Sequence, residues 1–401
     1  MKLIVFEDTN ADNFYPLSVS HPVFDLWYGC SRVLKRLKYY FKQNGVILSC
    51  RPHLAAVTRE RYKLPVNEFD NFRDECLLVN AAMIPKPEIL NKLATANSDT
   101  AFIDEDILIG ARLSSEFLEK CNLIDLIDKP SVFYSKFKAV ESEGSVFRYL
   151  WEIIDKNEEM IENDVELLPE IKSWERSDEY SKPDHPIFIH PSIETLSGVY
   201  IESKKGPVII DENAVIEPRS LIQGPAYIGK DSVIMAGLIR EGCSLGPVCK
   251  VGGELEESII LGYSNKSHEG FIGHAYLGEW VNLGALTTNS DLKNNYGEIS
   301  VQLMGKVIKT GLNKVGCFIG DHTKTGIGTT FNTGIVIGFS NNLYGGSLFL
   351  EKEIGHLKWG TPGALVDFKL DKAIGLARKA MPRRHRELSQ ASEELFRHIK
   401  S

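Results

Sequence analysis

Three histidines lie in polar turns of the C-terminal half of the sequence: His268, His274 and His322. Imidazole titrates near neutral pH, so it can take a proton from an amine that must become nucleophilic. Each of the three is therefore a candidate general base by residue type, although for an isolated histidine the structural alternative is preferred. The structural alternative is a surface histidine that bonds to a neighbouring turn. Asn282 follows in the same region and can hydrogen-bond a substrate, or it can bond to its own backbone at a corner.

Five lysines fall in or just after this stretch: Lys293, Lys306, Lys309, Lys314 and Lys324. Clustered ammonium groups suit the phosphates of a sugar or a coenzyme, and solvated surface charge is the alternative interpretation. The stretch therefore combines a candidate base with candidate phosphate ligands.

A six-residue repeat positions these side chains. Two runs of apolar or β-branched residues recur at every sixth position: Ile210, Ile216, Ile222, Ile228 and Ile234, and later Ile319, Thr325, Phe331, Ile337 and Leu343. This period fits a parallel β-helix in which each hexad forms one side of a triangular coil. Residues eighteen apart, such as Ile210 and Ile228, should then stack inside the prism.

The spacing becomes irregular from about Arg240 to Gly316, although glycines persist there. Interruptions of a solenoid usually become loops on its surface, and such loops tend to carry function. Two alternating runs at 299–304 and 307–312 predict a projecting hairpin. We place the candidate site in this irregular stretch.

The first 175 residues read as an α/β domain, because short apolar runs alternate with amphipathic segments. Strands are predicted at 2–7, 45–49, 75–80 and 100–109, and helices at 31–43, 87–96, 114–127 and 146–160. In the last helix, Phe147, Trp151 and Ile154 should share one face.

The predicted domain limits follow from composition. A linker at 176–186 is rich in charged and helix-breaking residues, a β-helix domain covers 187–355, and a helical, basic tail covers 356–401. The tail is expected to cap the open end of the β-helix, with a role in ligand binding as the alternative.

Composition excludes several classes of protein. The 401 residues carry a net charge of -8 and are 43% hydrophobic, which argues against a nucleic-acid or anionic-membrane surface and for well-packed cores. No apolar run is long enough to span a bilayer, and acidic residues follow the first apolar ones too soon for a signal peptide. The seven cysteines are scattered, as is typical of reduced thiols. We expect a soluble cytoplasmic protein.

The run Lys266-Ser267-His268-Glu269-Gly270-Phe271-Ile272-Gly273, followed by Trp280-Val281-Asn282-Leu283-Gly284-Ala285, resembles the acetyltransferase site of the bifunctional UDP-N-acetylglucosamine diphosphorylase/glucosamine-1-phosphate N-acetyltransferase family. The segments 305–311 and 314–326 are similar to sugar-1-phosphate nucleotidyltransferases that carry an acetyltransferase tail. Phe271 and Asp291 depart from the family's common tyrosine and neutral residue.

The resemblance implies a left-handed β-helix that assembles as a homotrimer, with sites between neighbouring prisms, and that takes acetyl-CoA and a sugar phosphate. His268 would be catalytic. Substrate binding is expected at Asn282, Lys293, Lys306 and Lys309. Binding of acetyl-CoA is expected at Ala285, Lys314 and Lys324, with room for the pantetheine arm at Ala285.

The N-terminal segments Phe6-Glu7-Asp8, Tyr15-Pro16-Leu17-Ser18 and Pro22-Val23-Phe24-Asp25-Leu26 resemble a divergent nucleotidyltransferase of the same family. Such a domain would couple the product to UTP or dTTP with Mg²⁺, whose ligands the sequence leaves open among Asp8, Asp104 and Asp164. Two positions where the family leads us to expect arginine hold His21 and Trp27. An arginine supplies a permanent charge for phosphate, and tryptophan supplies none.

Three functions are therefore compatible with the sequence. The chain acetylates an amino-sugar phosphate and also transfers a nucleotide, or it acetylates only and its front domain is degenerate. The third is a non-catalytic trimeric scaffold that binds sugar nucleotides.

Overall fold

The computed structural model describes residues 1–42, 45–69, 72–177, 183–194 and 196–400. The chain forms two compact units. The N-terminal unit comprises Met1–Phe14, His21–Leu26 and Arg32–Tyr149, and the β-helix unit comprises Tyr15–Ser20, Trp27–Ser31 and Leu150–Ser401. Residues 178–182 of the predicted linker lie outside the described residues.

The N-terminal unit contains a six-stranded mixed sheet. In spatial order its strands are Val46–Ser49, Lys2–Phe6, Cys76–Asn80, Ile107–Leu113, Thr100–Asp104 and Lys138–Glu141. The first three run parallel, and Ile107–Leu113 is antiparallel to both of its neighbours. The helices of this unit are Val33–Phe41, Ala55–Tyr62, Pro87–Thr95, Ser115–Glu119 and Leu123–Asp128.

Two predicted elements of this unit are each split in two. The strand predicted at 100–109 is an antiparallel pair, because Glu105 adopts a positive φ of 55° and turns the chain. The helix predicted at 114–127 breaks before Asn122, whose side chain accepts hydrogen bonds from the backbone of Ile124 and Asp125 and starts a new helix.

The predicted helix 146–160 is also wrong as a single element. The β-helix unit instead has the helices Leu150–Asp155, Asn157–Leu167 and Pro169–Lys172. The predicted apolar face is nevertheless buried, since Phe147, Trp151 and Ile154 are each at most 4% exposed.

The β-helix has three faces made of parallel strands. The first face, of nine strands, contains Ile187–Ile189, Val208–Ile210, Ala226–Ile228, Cys243–Leu245, Ile259–Gly262, Tyr276–Glu279, Cys317–Ile319, Ile335–Ile337 and Glu353–Ile354. The second face contains Val215–Ile216, Val233–Ile234, Lys250–Val251, Asn265–Lys266, Lys324–Thr325, Asn342–Leu343 and Lys358–Thr361, where Ala364–Asp367 adds an antiparallel strand. The third face contains Tyr200–Glu202, Leu221–Gln223, Leu238–Ile239, Glu254–Glu256, Phe271–Gly273, Thr288–Asn289, Thr330–Phe331 and Leu348–Phe349.

The hexapeptide prediction is confirmed. Ile210 pairs with Ile228 and Ile319 with Ile337 in register, and all four side chains are fully buried. The remaining repeat positions of both runs are also buried. The predicted α/β domain, β-helix and C-terminal helix are thus all present.

The irregular stretch is more regular than predicted. Ile228 pairs with Leu245, and Leu245 pairs with Ile260, so strand pairing continues although the coils are shorter than eighteen residues. Residues are lost at corners, and the backbone ladder is kept. The chain leaves the prism between Asn289 and Cys317, where Ser300–Leu303 and Lys306–Lys309 form the predicted antiparallel hairpin.

The tail is helical, as predicted, with helices Leu370–Ala380 and Gln390–Lys400. It does not simply cap the open end. Phe396 contacts His322 and Phe339, with ring centroids 5.0 and 4.6 Å away. Arg386 donates a hydrogen bond to the Tyr263 hydroxyl, 3.0 Å away and several coils back. The tail therefore lies along the corner between the first and second faces.

All seven cysteines are buried. Among the described residues, no helix combines the length and the apolar character needed to cross a membrane.

Candidate functional site

A row of polar side chains crosses three successive coils of the second face. Asn265, Asn282 and Lys324 are joined by parallel bridges in this order. The side-chain amide of Asn265 donates to Oδ1 of Asn282 over 3.0 Å. The hexad pattern turns these residues outward, because their neighbours Lys266 and Thr325 occupy the buried positions.

This row forms one wall of a cleft of about 280 Å³, which we call the tail cleft. The other wall is the C-terminal tail, through Lys379, Arg383 and Arg384. The structure thus brings together Asn282 and Lys324, two of the predicted site residues. The sequence predicted ligand binding by the basic tail only as an alternative to capping, because nothing in the local pattern shows that the tail folds back along the prism.

Lys324 is held by backbone oxygen atoms. Its ammonium donates to the carbonyl of Trp280 and, over 3.1 Å, to that of His322. Burial lowers the pKa of Lys324 to about 7, and the charge of Asp321 partly opposes this shift. Lys324 therefore changes its charge state near neutral pH.

His268 lies at the corner between the second and third faces, with an exposed side chain. The half-buried Ala285 lies at the same corner on the next coil, where the backbone N–H of Leu286 donates to the carbonyl of Glu269 over 2.7 Å. These two predicted residues are therefore close neighbours along one corner.

Lys266 supports the His268 turn from inside the prism. It is 2% exposed, and its ammonium donates to the carbonyls of His268 (2.8 Å) and Gly252 (2.9 Å). Gly253 has a positive φ of 68°, and a Cβ there would lie 2.9 Å from the backbone oxygens of His268 and Gly270, so glycine is required at this position. Burial lowers the pKa of Lys266 to about 8. Lys266 pairs in register with the buried Val251, and this register indicates that its side chain points into the prism.

A second histidine is already paired. Nδ1 of His274 lies 2.8 Å from a carboxylate oxygen of Asp291, and both side chains are about 15% exposed. Burial acts to raise the pKa of Asp291, but its bond to His274 holds the pKa below its usual value. This pair lies at the corner between the third and first faces, whereas His268 lies at the other end of the third face.

The remaining predicted lysines lie away from Asn282 in the chain. Lys314 pairs with Glu256 at 3.2 Å, and Lys293 donates to the carbonyl of Glu298 over 2.5 Å. Lys306 and Lys309 lie on the exposed hairpin strand. All four lysines come after the third-face strand Thr288–Asn289 in the chain, whereas Asn282 lies on the second face. A single chain therefore does not bring these lysines to the Asn282 row.

In the N-terminal unit, His21 is part of a buried charge cluster. Its Nδ1 lies 2.6 Å from Asp25, which also pairs with Arg32 at 2.9 Å and Arg61 at 2.5 Å. Burial alone would raise the pKa of Asp25, but the two guanidinium groups hold it well below its usual range. His21 thus contributes to a structural charge network.

Trp27 belongs to the β-helix unit. Its ring stacks on Tyr227 with centroids 5.8 Å apart, and its backbone N–H and carbonyl both bond to the Tyr276 hydroxyl over 2.7 Å. These contacts account for an aromatic residue at a position where the family resemblance led us to expect arginine.

The three carboxylates considered for Mg²⁺ differ in availability. Asp104 pairs with Arg148, and Asp164 accepts the backbone N–H of Cys30 over 2.7 Å. Asp8 follows the first strand and bonds only to amide groups, from Asn10 and Asn80, among the described residues. Asp8 thus fits best a cation that is held by one carboxylate together with substrate phosphates.

Comparisons with known proteins agree with this architecture. Residues 3–173 match the family model for sugar nucleotidyl transferases. A bifunctional sugar-1-phosphate nucleotidylyltransferase/acetyltransferase from Sulfurisphaera tokodaii is 37% identical over 163 residues, 38% of each chain. The bifunctional protein GlmU from Methanococcus maripaludis is 32% identical over 172 residues, 42% of this chain and 41% of the relative.

The aligned part of the chain thus spans about two fifths of the length of these curated relatives. The crystal structure of a candidate acetyltransferase from Bacillus cereus is 16% identical and covers 51% of this chain and 99% of its own, with a TM-score of 0.28. Residues 3–173 are therefore similar to sugar nucleotidyl transferases, and the chain is similar over about two fifths of its length to bifunctional GlmU-type relatives.

Proposed function

We propose that the β-helix unit transfers the acetyl group of acetyl-CoA to the amine of glucosamine-1-phosphate or a related amino-sugar phosphate. The observation that carries this proposal is that the exposed His268 and the half-buried Ala285 lie at the same corner on adjacent coils. The names of the bifunctional relatives support this class of reaction.

In this reaction His268 accepts a proton from the sugar amine as the amine nitrogen bonds to the acetyl carbon. The carbon–sulfur bond of the thioester breaks, and the proton passes to the thiolate that leaves. Oδ1 of Asn282 accepts a hydrogen bond from Asn265, so the Asn282 amide N–H groups are left to donate to the sugar or to the acetyl oxygen. Lys266 holds the backbone of the His268 turn.

We infer a homotrimer in which this corner meets a neighbouring chain. Leu286 is 56% exposed and Ile327 is 71% exposed, and both lie at the same corner as His268 on successive coils. Exposed apolar side chains of this size favour a protein partner. A neighbour would also bring its own Lys293, Lys306, Lys309 and Lys314, which one chain keeps away from Asn282, to bind sugar phosphate and coenzyme.

The N-terminal unit is proposed to couple the acetylated sugar phosphate to UTP or dTTP, with Mg²⁺ held by Asp8 and the nucleotide phosphates. Mg²⁺ would neutralise charge on the reacting phosphate. We also propose that the protein acts in the cytoplasm, because a reducing compartment suits its seven scattered, buried cysteines.

A second candidate function is acetyl transfer alone. His21 is engaged with the buried Asp25, and Trp27 packs against Tyr227. Neither position supplies the guanidinium that a phosphate would use, which favours a front domain without nucleotidyl transfer. A trimeric scaffold that binds sugar nucleotides without turnover is the third candidate.

Two assays separate these functions. Thiol release from acetyl-CoA with glucosamine-1-phosphate reports acetyl transfer. Pyrophosphate release from UTP or dTTP, with N-acetylglucosamine-1-phosphate and Mg²⁺, reports nucleotidyl transfer. Binding with neither product would support the scaffold.

The catalytic role of His268 is tested with matched variants. We expect His268→Ala to lower acetyl transfer at pH 7 by about 100-fold or more, since a general base contributes that much. His274→Ala removes a paired imidazole at another corner and should retain most activity. The opposite result would move the base to the His274–Asp291 pair.

A further inference from the structure

The basic side chains of the tail cleft differ from other basic residues of the tail, which pair with carboxylates. Just outside the cleft, Arg378 and Arg397 both pair with Glu393, and Lys400 pairs with Asp367. Among the residues that the structure describes, the four basic side chains lining the cleft form no ion pair. They are Lys324, Lys379, Arg383 and Arg384.

Within the described part of the chain, Arg384 is fixed by neutral oxygen atoms. It donates to Oδ1 of Asn265 over 2.8 Å and to the carbonyl of Arg383 over 3.2 Å. Its Nε is buried, and no hydrogen-bond partner for it is present among the described residues. The guanidinium is therefore oriented but its charge is not neutralised, and an unpaired buried donor is costly.

No acidic side chain of the described residues lines the cleft. Three cations of the tail, Lys379, Arg383 and Arg384, surround about 280 Å³ together with Lys324, which adds a fourth charge when it is protonated. These charges repel one another, and an anion bound between them would relieve the repulsion. Burial and the charge of Arg383 both lower the pKa of Arg384, as expected for a cation among cations.

An aromatic wall completes the cleft. Tyr263 and Trp280 stack with ring centroids 4.5 Å apart and planes 12° apart. Arg386 lies over the Tyr263 ring and donates to its hydroxyl. Guanidinium forks suit phosphate oxygens, and flat rings suit the organic group that carries the phosphate.

We propose that the tail cleft binds a phosphate ester, in a site that is complete within one chain. Its volume is that of a small pocket, so it would hold the phosphate groups and the adjoining atoms of a larger ligand. Both a coenzyme and a nucleotide carry this chemistry. The inference does not require acetyl transfer at His268, because the site is made of different residues apart from Asn282 and Lys324.

Titration calorimetry of the full chain with inorganic pyrophosphate tests the proposal. We expect saturable binding that weakens as salt rises, since charged contacts are screened. Arg384→Gln and Lys379→Gln should each weaken binding by about tenfold or more, since each loses a charge-assisted contact. Arg378→Gln is the matched control, because Arg378 neighbours Lys379 but pairs with Glu393, and it should bind like the wild type.

Absence of saturable binding would overturn the proposal, as would equal binding by Arg378→Gln and the two cleft variants. Lys379 is exposed, so its variant keeps the test valid if Arg384→Gln does not fold. Coenzyme A and UDP, titrated in parallel, distinguish the two sources of the phosphate ester. An inactive acetyltransferase that still binds pyrophosphate would contradict the proposed reaction and leave this site supported.

Discussion

Asn265 donates its side-chain amide to Oδ1 of Asn282 on the following coil over 3.0 Å. Because Oδ1 of Asn282 accepts this hydrogen bond, the orientation of the Asn282 amide is fixed. Its N–H groups remain to donate to a ligand. Oδ1 of Asn265 in turn accepts from Arg384, so the tail is connected to the candidate site.

Asn282→Asp should separate binding chemistry from folding. An aspartate keeps an oxygen for Asn265 but replaces the donors by a negative charge. We expect acetyl transfer to fall by about 10- to 100-fold, as for the loss of one or two hydrogen bonds that act in the transition state. Steady-state rates and a thermal melt on the same sample measure both effects.

Asn213→Asp is a suitable control, because Asn213 is an exposed corner residue on an early coil. It should leave acetyl transfer unchanged. A thermal midpoint for Asn282→Asp far below that of the wild type would show that Asn282 acts in folding instead.

Lys266 should make the stability of the β-helix depend on alkaline pH. Burial lowers its pKa to about 8 in the folded chain, against about 10.4 when unfolded. Between these values the unfolded chain binds more protons, so the free energy of unfolding should rise with pH, by up to about 1.4 kcal/mol per pH unit. Urea unfolding of the wild type and Lys266→Met at pH 7.5 and 9.5 measures the difference between their pH slopes.

Other groups titrate in this range, including Lys324. Because they are present in both proteins, the comparison isolates Lys266. Identical pH slopes for the wild type and Lys266→Met would show that the ammonium is not buried as described.

Arg32→Met should destabilise the N-terminal unit by about 3–5 kcal/mol, because it leaves the buried Asp25 with less compensation. Arg59 supplies the control: its pair with Glu68 is exposed, so Arg59→Met should cost about 1 kcal/mol or less. Urea unfolding at pH 7 measures both variants.

The same cluster predicts sensitivity to acid. The pKa of Asp25 is held below its unfolded value of about 3.9, so its contribution to stability is full above that pH and is lost as pH falls below it. Asp25→Asn should show a shallower loss of stability between about pH 4 and pH 2. An unchanged acid transition would mean that Asp25 is not the charged residue of this cluster.

Phe396 should hold the tail against the prism. It is 1% exposed and packs against His322 and Phe339. Phe396→Ala should cost about 3–5 kcal/mol, as for a buried phenylalanine, and should make residues 385–400 sensitive to a protease. The neighbouring Arg397→Ala, at an exposed position, should cost less than about 1 kcal/mol.

Limited proteolysis with mass spectrometry would show whether the tail is released in Phe396→Ala. A tail that stays protected to the same extent in both variants would show that Phe396 does not anchor it.

The elements best predicted from the sequence have a short, strict period. The repeat from Ile210 to Ile234 could be predicted from the sequence, because the six-residue spacing alone indicates which residues face the core. The strand at 100–109 and the helix at 114–127 were wrong because local breaks, a positive φ at Glu105 and a side-chain cap at Asn122, divide segments whose hydrophobic pattern continues.

Within the candidate site, the sequence was sufficient to identify the motif around His268 and Asn282. It was not sufficient to predict which side chains of the site contact one another. Lys266 is an ordinary polar residue in the motif, and only strand register with Val251 turns it into the prism. Likewise, nothing in the sequence couples His274 to Asp291, which a neighbouring coil brings within 2.8 Å.

The sequence by itself determined the architecture, since a hexapeptide repeat encodes its own fold through contacts between nearest coils. Tertiary structure alone decided how the charges are grouped. It carried Arg384 back to Asn265, 119 residues away along the chain, and it left Lys306 and Lys309 on the hairpin, away from Asn282. Such long-range placement depends on how whole elements pack, which no local pattern records.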